Sequence, residues 1–193
     1  MKQSLQEKYF DDVYRYSEDP WSYETSDYEK KKYAATISAL PKPHYETALE
    51  LGCSIGVLTN MLSKKCSALL SVDVSDLALQ KAKERLKSKP HIRFEKMFLP
   101  NEYPAEKFDL VIMSEVGYYL SLEDLKIAKE KIVSSLHSNG DLILVHWLPF
   151  VHDYPLTGDE VHNFFAEKNA HLKHVYGSKE EKYRIDVYTK LID

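Results

Sequence analysis

The stretch "ALELGCSIGVLTNML", residues 48–62, decides the fold. Its apolar start is typical of a buried strand, and a glycine turn follows at Gly52 and Gly56. The turn resembles half of a nucleotide-binding fingerprint, but Ser54 stands where a dinucleotide site has its second glycine. Glu50 adds a negative charge just before the turn. The stretch predicts a strand, a turn and a helix that bind a ligand other than a pyrophosphate.

Beyond this stretch, apolar β-rich runs alternate with amphipathic segments, which is typical of a parallel sheet with crossover helices. We therefore predict an α/β fold with a mostly parallel seven-stranded sheet and helices on both faces. Strands are expected at 45–51, 68–74, 91–97, 108–116, 141–148, 171–177 and 183–191, and helices at 56–65, 75–88, 122–136 and from 157 onward. Asn139 and Gly140 are expected to close the helix at 122–136.

The first 40 residues differ in composition, and we predict that they form an N-terminal helical cap on a core of residues 41–193 within a single domain, 1–193. Ser26 and Glu29 have the spacing of a capping box, so a helix should begin there and end near Pro41. The cap either packs against the sheet edge or closes as a lid over a ligand. Its aromatic residues are Tyr9, Phe10, Tyr14, Tyr16, Trp21, Tyr23, Tyr28 and Tyr33.

Composition narrows the classes of function. A chain of 193 residues with a net charge of -4 has no field suited to phosphate backbones, so we expect no nucleic-acid partner. No apolar run approaches the roughly 20 residues that span a bilayer, and the first ten residues contain no signal-like apolar region. The only cysteines, Cys53 and Cys66, are too few for a disulfide framework. These features predict a cytoplasmic protein with a small-molecule ligand and no membrane partner.

Asp73 is the second part of the expected ligand site. It follows Gly52 by 21 residues, at the end of the second predicted strand, where a carboxylate can accept hydrogen bonds from both hydroxyls of a ribose. A helix cap is the alternative reading of this aspartate. Ser54 and Glu50 disfavour a phosphate and favour a cationic, phosphate-free nucleoside, such as S-adenosylmethionine with its ammonium and sulfonium charges.

These residues resemble the class I, Rossmann-like S-adenosylmethionine-dependent methyltransferases. The likeness runs from about residue 47 to residue 148, through "LELGCSIG", "SVDVS", "FDLVIMSEVGYYL" and "LHSNGDLILV". The segments "DPWSYETSDYEKKKYAATISALP" and "SEVGYYL" resemble, more narrowly, the NodS branch, which N-methylates the free amine of a deacetylated chitooligosaccharide. The resemblance implies a Rossmann-like fold, S-adenosyl-L-methionine as cofactor and a small-molecule acceptor, such as an amino sugar or an oligosaccharide.

The resemblance also implies roles for individual residues. The methionine portion of the cofactor would lie against Glu50, Gly52, Ser54 and Gly56, with the ribose on Asp73 and the adenine against Val74. Ser114 and Glu115 would face the sulfonium and the acceptor, while Trp21 and Tyr33 would close over the cofactor. The chain departs from the family after the third strand, where Phe98 and Leu99 replace an acid that often contacts the adenine amine.

Methyl transfer to an amine needs a neutral nitrogen, so a base or an orienting acceptor is useful. Glu115 is the first candidate and His146 the second; a capping acid and a half-buried histidine bonded to a loop are the structural alternatives. Tyr118, Tyr119, Trp147 and residues 152–162 either line an acceptor groove or pack in the core. The lysine run "EKKKY" is expected to be a solvated helix face.

Two other functions remain open from the residues. A nicotinamide-dependent oxidoreductase is disfavoured by Ser54 and Glu50, and a non-catalytic cofactor-binding module is the third reading. A metal site of His146, His152 and His162 is not predicted, because their spacing is irregular and no cysteine or cluster of acids lies near them. Neither the choice between N- and O-methylation nor the oligomeric state follows from the residues.

Overall fold

The structure is a computed structural model that describes residues 2–167 and 170–192. Within these residues, seven strands form one sheet in the order β3-β2-β1-β4-β5-β7-β6. The strands are β1 (Tyr45–Leu51), β2 (Cys66–Asp73), β3 (Ile92–Lys96), β4 (Phe108–Ser114), β5 (Leu136–Trp147), β6 (Leu172–Lys179) and β7 (Tyr183–Lys190). The helices are α1 (Glu7–Tyr16), α2 (Asp27–Ser38), α3 (Val57–Leu62), α4 (Asp76–Arg85), α5 (Leu122–Ser135) and α6 (Gly158–Ala166), and residues Gly117–Tyr119 form a 3-10 turn.

The strand directions confirm the predicted mostly parallel sheet. Strands β3, β2, β1, β4 and β5 run parallel, and β7 is antiparallel to both of its neighbours, β5 and β6. Strand order reverses at β1, which lies between β2 and β4. Because ligands of open α/β sheets bind outside the carboxyl ends of the strands at such a point, the fold directs attention to the segments after Leu51 and Ser114.

Two apolar cores lie on opposite faces of the sheet, as the period of two along each strand requires. One core joins Leu49 and Leu51 of β1 to side chains of α5 and α6, and the other joins Ala48 of β1 to side chains of α2 and α3. Helices therefore cover both faces, as predicted. Fully burying a leucine such as Leu49 contributes about 1.5–3 kcal/mol relative to leaving it exposed.

The boundary between α5 and β5 differs from the prediction. Helix α5 ends at Ser135, and Leu136 is already extended, fully buried and paired with Phe108 of β4. Asn139 and Gly140 therefore lie inside β5, where the register with β4 shifts, and they do not close the helix. The prediction was wrong because burial and strand pairing of Leu136 outweigh the local turn signal.

The other predicted bounds are shifted by a few residues. Helix α3 ends three residues early, at Leu62, and β2 begins at Cys66. The two helix starts predicted from capping-box spacing, at Ser26 and Thr157, are confirmed. The hydroxyl of Thr157 accepts from the Glu160 N–H in a complete capping box, whereas Ser26 accepts from the Glu29 N–H without the reciprocal bond. None of the described helices combines the length and the apolar character needed to cross a membrane.

The N-terminal segment forms two helices that pack on the core. Tyr14 of α1 lies in a buried cluster with Ile55 and Ala78, and Tyr33 of α2 lies in the core shared with α3. The Leu5 N–H donates to the carbonyl of Tyr119 at 2.9 Å. Whether these helices act as a cap over a bound cofactor stays a prediction.

Candidate functional site

A cavity of about 920 Å³, including the solvent at its mouth, lies at the carboxyl ends of β1, β2 and β4 and beneath the N-terminal segment. Most of the predicted cofactor residues line it: Trp21, Tyr33, Glu50, Gly52, Ser54, Asp73, Val74, Phe98, Leu99, Ser114 and Glu115. The cavity is also lined by Phe10, Tyr14 and Tyr23, aromatics of the predicted cap or lid, and by Tyr119, a candidate for the acceptor groove. No ligand role was predicted for the other lining residues: Leu5, Cys53, Val57, Leu58, Val72, Met97, Val116 and Leu120.

The glycine turn forms the floor of this cavity. Gly52 has a φ of +78°, and a Cβ built on it would lie 2.2 Å from Cγ2 of Val116, so only glycine fits there without a shift. The N–H groups of Gly52 and Cys53 both donate to the carbonyl of Val72 at 2.9 Å. The turn is therefore tied to the end of β2, where Asp73 follows.

Asp73 faces the cavity with a carboxylate that the turn already holds. Its Oδ2 accepts from the Ser54 N–H at 2.8 Å and its Oδ1 from the Ser75 N–H at 3.0 Å. Burial raises the pKa of Asp73, although these backbone donors oppose the shift. Ser75 is the N-cap of α4, and its hydroxyl accepts from the Ala78 N–H. Asp73 is therefore not the cap residue of that helix.

Glu50 is buried in the wall of the cavity, where it is only 1% exposed. Its Oε2 accepts from the hydroxyls of Thr59 at 2.7 Å and Ser71 at 2.8 Å. Burial, with a smaller contribution from Asp73 and against the opposing effect of the two hydroxyls, raises the pKa of Glu50 to about 7. Its charge is consequently sensitive to whatever occupies the cavity near neutral pH.

Glu115 follows β4 in a left-handed conformation, with a φ of +59°. Its Oε1 is 2.7 Å from Nζ of Lys32, and its Oε2 accepts from the Tyr118 hydroxyl and, at 3.1 Å, from the Trp147 N–H. Both oxygens therefore already have donors. The N-cap of α5 is Ser121, so Glu115 does not cap that helix.

Lys32 is a feature that the sequence reasoning missed. The run "EKKKY" was expected to be solvated, but Lys32 is only 1% exposed, and its Nζ lies 2.9 Å from Glu29 as well as close to Glu115. Burial lowers the pKa of Lys32, but Glu115 and Glu29 outweigh burial, so the pKa is raised. The pKa of Glu29 is raised by its burial. A charged group thus links α2 to Glu115, an acid that lines the cavity.

Aromatic residues of the N-terminal segment form one wall. Trp21 stacks on Tyr23 with ring centroids 5.6 Å apart, and Tyr23 in turn contacts Tyr33. The Tyr14 hydroxyl is 2.5 Å from Oγ of Ser54, so α1 is bonded directly to the glycine turn. Phe10 and Tyr14 are four residues apart, and this helical spacing is the signal that would have identified both as wall residues.

The part of the cavity lined by the segments after β2 and β3 is apolar. Val74, Phe98 and Leu99 line it. The Phe98 N–H donates to Oε2 of Glu102 at 2.8 Å. No acidic side chain occupies this part of the lining in the described chain, so a flat ring placed here would meet apolar side chains and backbone.

Gly56 and His146 are not part of the cavity wall. Gly56 has a φ of +80°, starts α3 and lets the backbone approach Ala82, since an added Cβ would lie 3.1 Å from its Cα. His146 is fully buried, and its Nε2 accepts from the Gly117 N–H at 3.0 Å. His146 therefore has the structural role that was the alternative to a base: it is a histidine bonded to a loop.

The remaining sequence candidates fall in two places. Tyr118 and Tyr119 are buried, whereas Trp147 is partly exposed and packs edge-to-face on Tyr28, with centroids 5.6 Å apart. His152 has a side chain that is 90% exposed, far from the buried pair of His146 and His162. Among residues 2–167 and 170–192, no group of three or more histidine, cysteine and acidic side chains is arranged to hold a metal ion.

Residues 7–147 match the protein-family model described as Nodulation protein S (NodS). Nodulation protein S of Bradyrhizobium diazoefficiens is 32% identical over 128 residues, which cover 65% of this chain and 61% of that protein. The Azorhizobium caulinodans protein of the same name is 35% identical over 127 residues, with coverage of 65% and 61%. The aligned part of this chain thus spans about three fifths of these relatives.

Solved structures agree in fold. A structure described as a putative methyltransferase from Pseudomonas syringae is 32% identical, with a TM-score of 0.76, and the match covers 84% of this chain and 99% of that one. N-methyltransferase NodS from Bradyrhizobium japonicum WM9, solved with S-adenosyl-L-homocysteine, is 22% identical with a TM-score of 0.80, covering 90% and 93%. The fold of the present chain is therefore Rossmann-like, as predicted.

Proposed function

Because the chain belongs to the nodulation protein S (NodS) family, we propose that it is a methyltransferase that uses S-adenosyl-L-methionine and a small-molecule acceptor. The acceptor that we propose is an amine of a sugar or of a related metabolite. The NodS protein of Bradyrhizobium japonicum WM9 is described as an N-methyltransferase, which supports a nitrogen acceptor here by similarity.

One observation carries the proposal. Three carboxylates, Glu50, Asp73 and Glu115, converge on the cavity from the ends of neighbouring strands, and the described lining residues include no lysine, arginine or histidine. Lys32 lies behind Glu115 and offsets part of its charge. Such a wall favours a cationic ligand and disfavours the two negative charges of a dinucleotide pyrophosphate.

The residues present fit S-adenosylmethionine. Asp73 would accept hydrogen bonds from the ribose hydroxyls, since each of its oxygens has one backbone donor and a further lone pair. Glu50 and Gly52 would surround the methionine portion, with Ser54 beside them. The adenine would lie against Val74, Phe98 and Leu99, and Trp21 and Tyr33 would close the wall over the cofactor.

When bound, S-adenosylmethionine supplies an electrophilic methyl group whose transfer needs no acid at the leaving sulfur. The chain has to align the acceptor and exclude water, and such positioning can contribute several kcal/mol. We propose that Glu115 orients the acceptor, because three donors fix its carboxylate at the inner end of the cavity. Oε1 has Lys32 as its one side-chain donor and keeps a further lone pair, which can accept a hydrogen bond or a proton from the acceptor nitrogen.

The acceptor would approach from the side of Trp147, whose backbone N–H holds Glu115. The partly exposed rings of Tyr28 and Tyr183 stand next to it, with centroids 6.1 Å apart. Aromatic rings of this kind can pack against the faces of a sugar. Tyr118 and Tyr119 are too buried to provide the outer part of such a groove.

Cofactor binding is tested by calorimetry with S-adenosylmethionine. We expect measurable heat with the unaltered chain, its loss in Asp73→Ala, and its retention in Asp76→Ala, a matched control at an exposed position three residues away. An unaltered chain that gives no heat with this cofactor would refute the proposal. Tight binding of NADH in a fluorescence titration would favour the oxidoreductase reading instead.

Acceptor chemistry is tested by release of S-adenosylhomocysteine across a panel of amines, amino sugars, chitooligosaccharide amines and hydroxylated metabolites. We expect turnover with amines and a large loss in Glu115→Gln that leaves cofactor binding in place. Turnover with hydroxyl acceptors alone would indicate that the protein catalyses O-methylation and not N-methylation. A chain that binds the cofactor but turns over no acceptor would be a cofactor-binding module.

A further inference from the structure

A buried chain of hydrogen bonds connects the loop after β4 to β7 through α6. Nε2 of His146 accepts from the Gly117 N–H at 3.0 Å, and Nδ1 of His146 is 3.1 Å from Nε2 of His162. Nδ1 of His162 is 2.6 Å from Oδ2 of Asp186. His146 and His162 are both fully buried, and Asp186 is nearly so. We call His146, His162 and Asp186 the histidine chain.

The donor and acceptor inventory permits one protonation pattern in the histidine chain. The Gly117 N–H can only donate, so Nε2 of His146 carries the lone pair and Nδ1 carries the proton. Nε2 of His162 must then accept, which leaves the proton of His162 on Nδ1, directed at Asp186. Both rings are neutral in this pattern. Their burial acts in the same direction, since it lowers the pKa of His146 and of His162.

Charged and polar partners hold Asp186, at one end of the histidine chain. Oδ2 of Asp186 is also 2.7 Å from Nε of Arg184, and its Oδ1 is 2.7 Å from Nε2 of His174, which is half exposed. These donors keep Asp186 as an acceptor, and the hydrogen bonds from His162 and His174 lower its pKa even though burial raises it. The orientation of His162, and through it that of His146, is therefore fixed from β7.

At the other end of the histidine chain, His146 contacts the loop that contains Glu115 and Gly117. Glu115 has a φ of +59°, a strained conformation that a residue other than glycine keeps only where its surroundings impose it. The Glu115 N–H donates to the carbonyl of Val145, and two residues later the Gly117 N–H is held by His146. A Cβ on Gly117 would lie 2.9 Å from Nε2 of His146, so the loop is pressed against this ring.

We propose that His146, His162 and Asp186 are positioning residues, which hold the Glu115 loop in its left-handed conformation through one fixed pair of histidine tautomers. The proposal rests on the proposed function only in the role it gives to Glu115; the hydrogen-bond chain itself can be tested without turnover. His146 then acts through the Gly117 backbone and does not touch the acceptor, which replaces the role of second base considered from the sequence.

The test compares two substitutions of His162. Gln can present an oxygen to Nδ1–H of His146, whereas Leu leaves that donor buried without an acceptor. Long-range ¹H–¹⁵N NMR spectra of the unaltered chain should show Nε2 of His146 without a proton. We expect His162→Gln to preserve this pattern and the Gly117 amide signal, and His162→Leu to shift that signal and speed its hydrogen exchange.

Kinetics give a second readout. We expect His162→Leu to lower kcat by about 100-fold, as loss of positioning does, with little change in the KM for S-adenosylmethionine, and His162→Gln to recover most of the loss. His137→Leu, at an exposed histidine of β5 outside the cavity lining, is the surface control. A proton on Nε2 of His146 in the unaltered chain overturns the proposal, as does an unmoved Gly117 signal in a folded His162→Leu. If no acceptor is turned over, the NMR spectra alone still test the proposal.

Discussion

Nζ of Lys32 lies 2.7 Å from Oε1 of Glu115, so a buried cation on an N-terminal helix is paired with the acid that follows the fourth strand. Removing one partner of a buried ion pair leaves the other charged and unpaired, which costs about 3–5 kcal/mol. We expect Lys32→Met to lower the free energy of unfolding by about that amount, measured by urea denaturation, because Glu29 and Glu115 would then face each other without a cation.

Lys31→Met is the matched control for Lys32→Met, since Lys31 precedes it in α2 and is exposed. A surface change of this kind should alter stability by no more than about 0.5 kcal/mol. The double variant Lys32→Met with Glu115→Gln should lose less stability than the sum of the two single variants. Equal stability of the Lys31 and Lys32 variants would show that the buried pair contributes nothing to folding.

Cofactor binding should depend on pH through Glu50, whose pKa is raised to about 7. A cationic ligand in the cavity favours the charged carboxylate, so affinity for S-adenosylmethionine should rise as pH increases through about 7, with proton release on binding. Calorimetry in two buffers of different ionisation enthalpy measures that release. The groups that face Glu50 are Thr59, Ser71 and Asp73, and Glu50→Gln should abolish both the release and the pH dependence.

The same residue should make the empty protein less stable at alkaline pH. The pKa of Glu50 is about 7 in the folded chain and about 4.5 when unperturbed, so below about 4.5 both states are protonated and no stability is lost. Stability then falls as pH rises from about 4.5 to about 7, because the unfolded chain gives up its proton first. Glu50→Gln should therefore raise Tm at pH 8 and leave it nearly unchanged at pH 4.5, in thermal melts followed by circular dichroism. A Gln variant that is less stable at both pH values would contradict this reading.

Gly52→Ala should disrupt the floor of the cavity. The new Cβ would lie 2.2 Å from Cγ2 of Val116 and would occupy a backbone with a φ of +78°. We expect a loss of cofactor affinity of at least tenfold, or about 1.4 kcal/mol, measured by calorimetry. Val116→Ala removes the colliding methyl, so the double variant should recover part of the affinity while keeping the cost of the left-handed backbone. No recovery would mean that backbone strain alone accounts for the loss.

Much of the fold follows from patterns that the chain displays locally. Alternation of apolar strands and amphipathic helices predicts the sheet, and the rule that ligands bind at the carboxyl ends of strands predicts the meeting of Glu50, Asp73 and Glu115. The end of α5 was misplaced because Leu136 is recruited by pairing with Phe108, a partner that local turn chemistry does not reveal.

Other parts of the site depend on long-range contacts. The histidine chain joins residues of β5, α6 and β7, so no spacing along the sequence predicts it. Lys32 did carry a signal: the buried residues of α2 are Glu29, Lys32, Tyr33 and Thr36, which recur at helical spacing and make one stripe with two charges. A charged residue in such a stripe indicates an ion pair, and reading "EKKKY" as a uniform run concealed it.

The pairing of Lys32 with Glu115 also bears on biosynthesis. The lysine leaves the ribosome 83 residues ahead of Glu115, so only Glu29 of the same helix can pair with it at first, and stripping water from these charges before Glu115 is present costs several kcal/mol. We therefore expect α2 to stay hydrated and undocked during translation until β4 has been made and has paired with β1. A segment synthesised before the sheet would then be among the last to pack on it, and the cavity that it covers would stay open until the central strands exist.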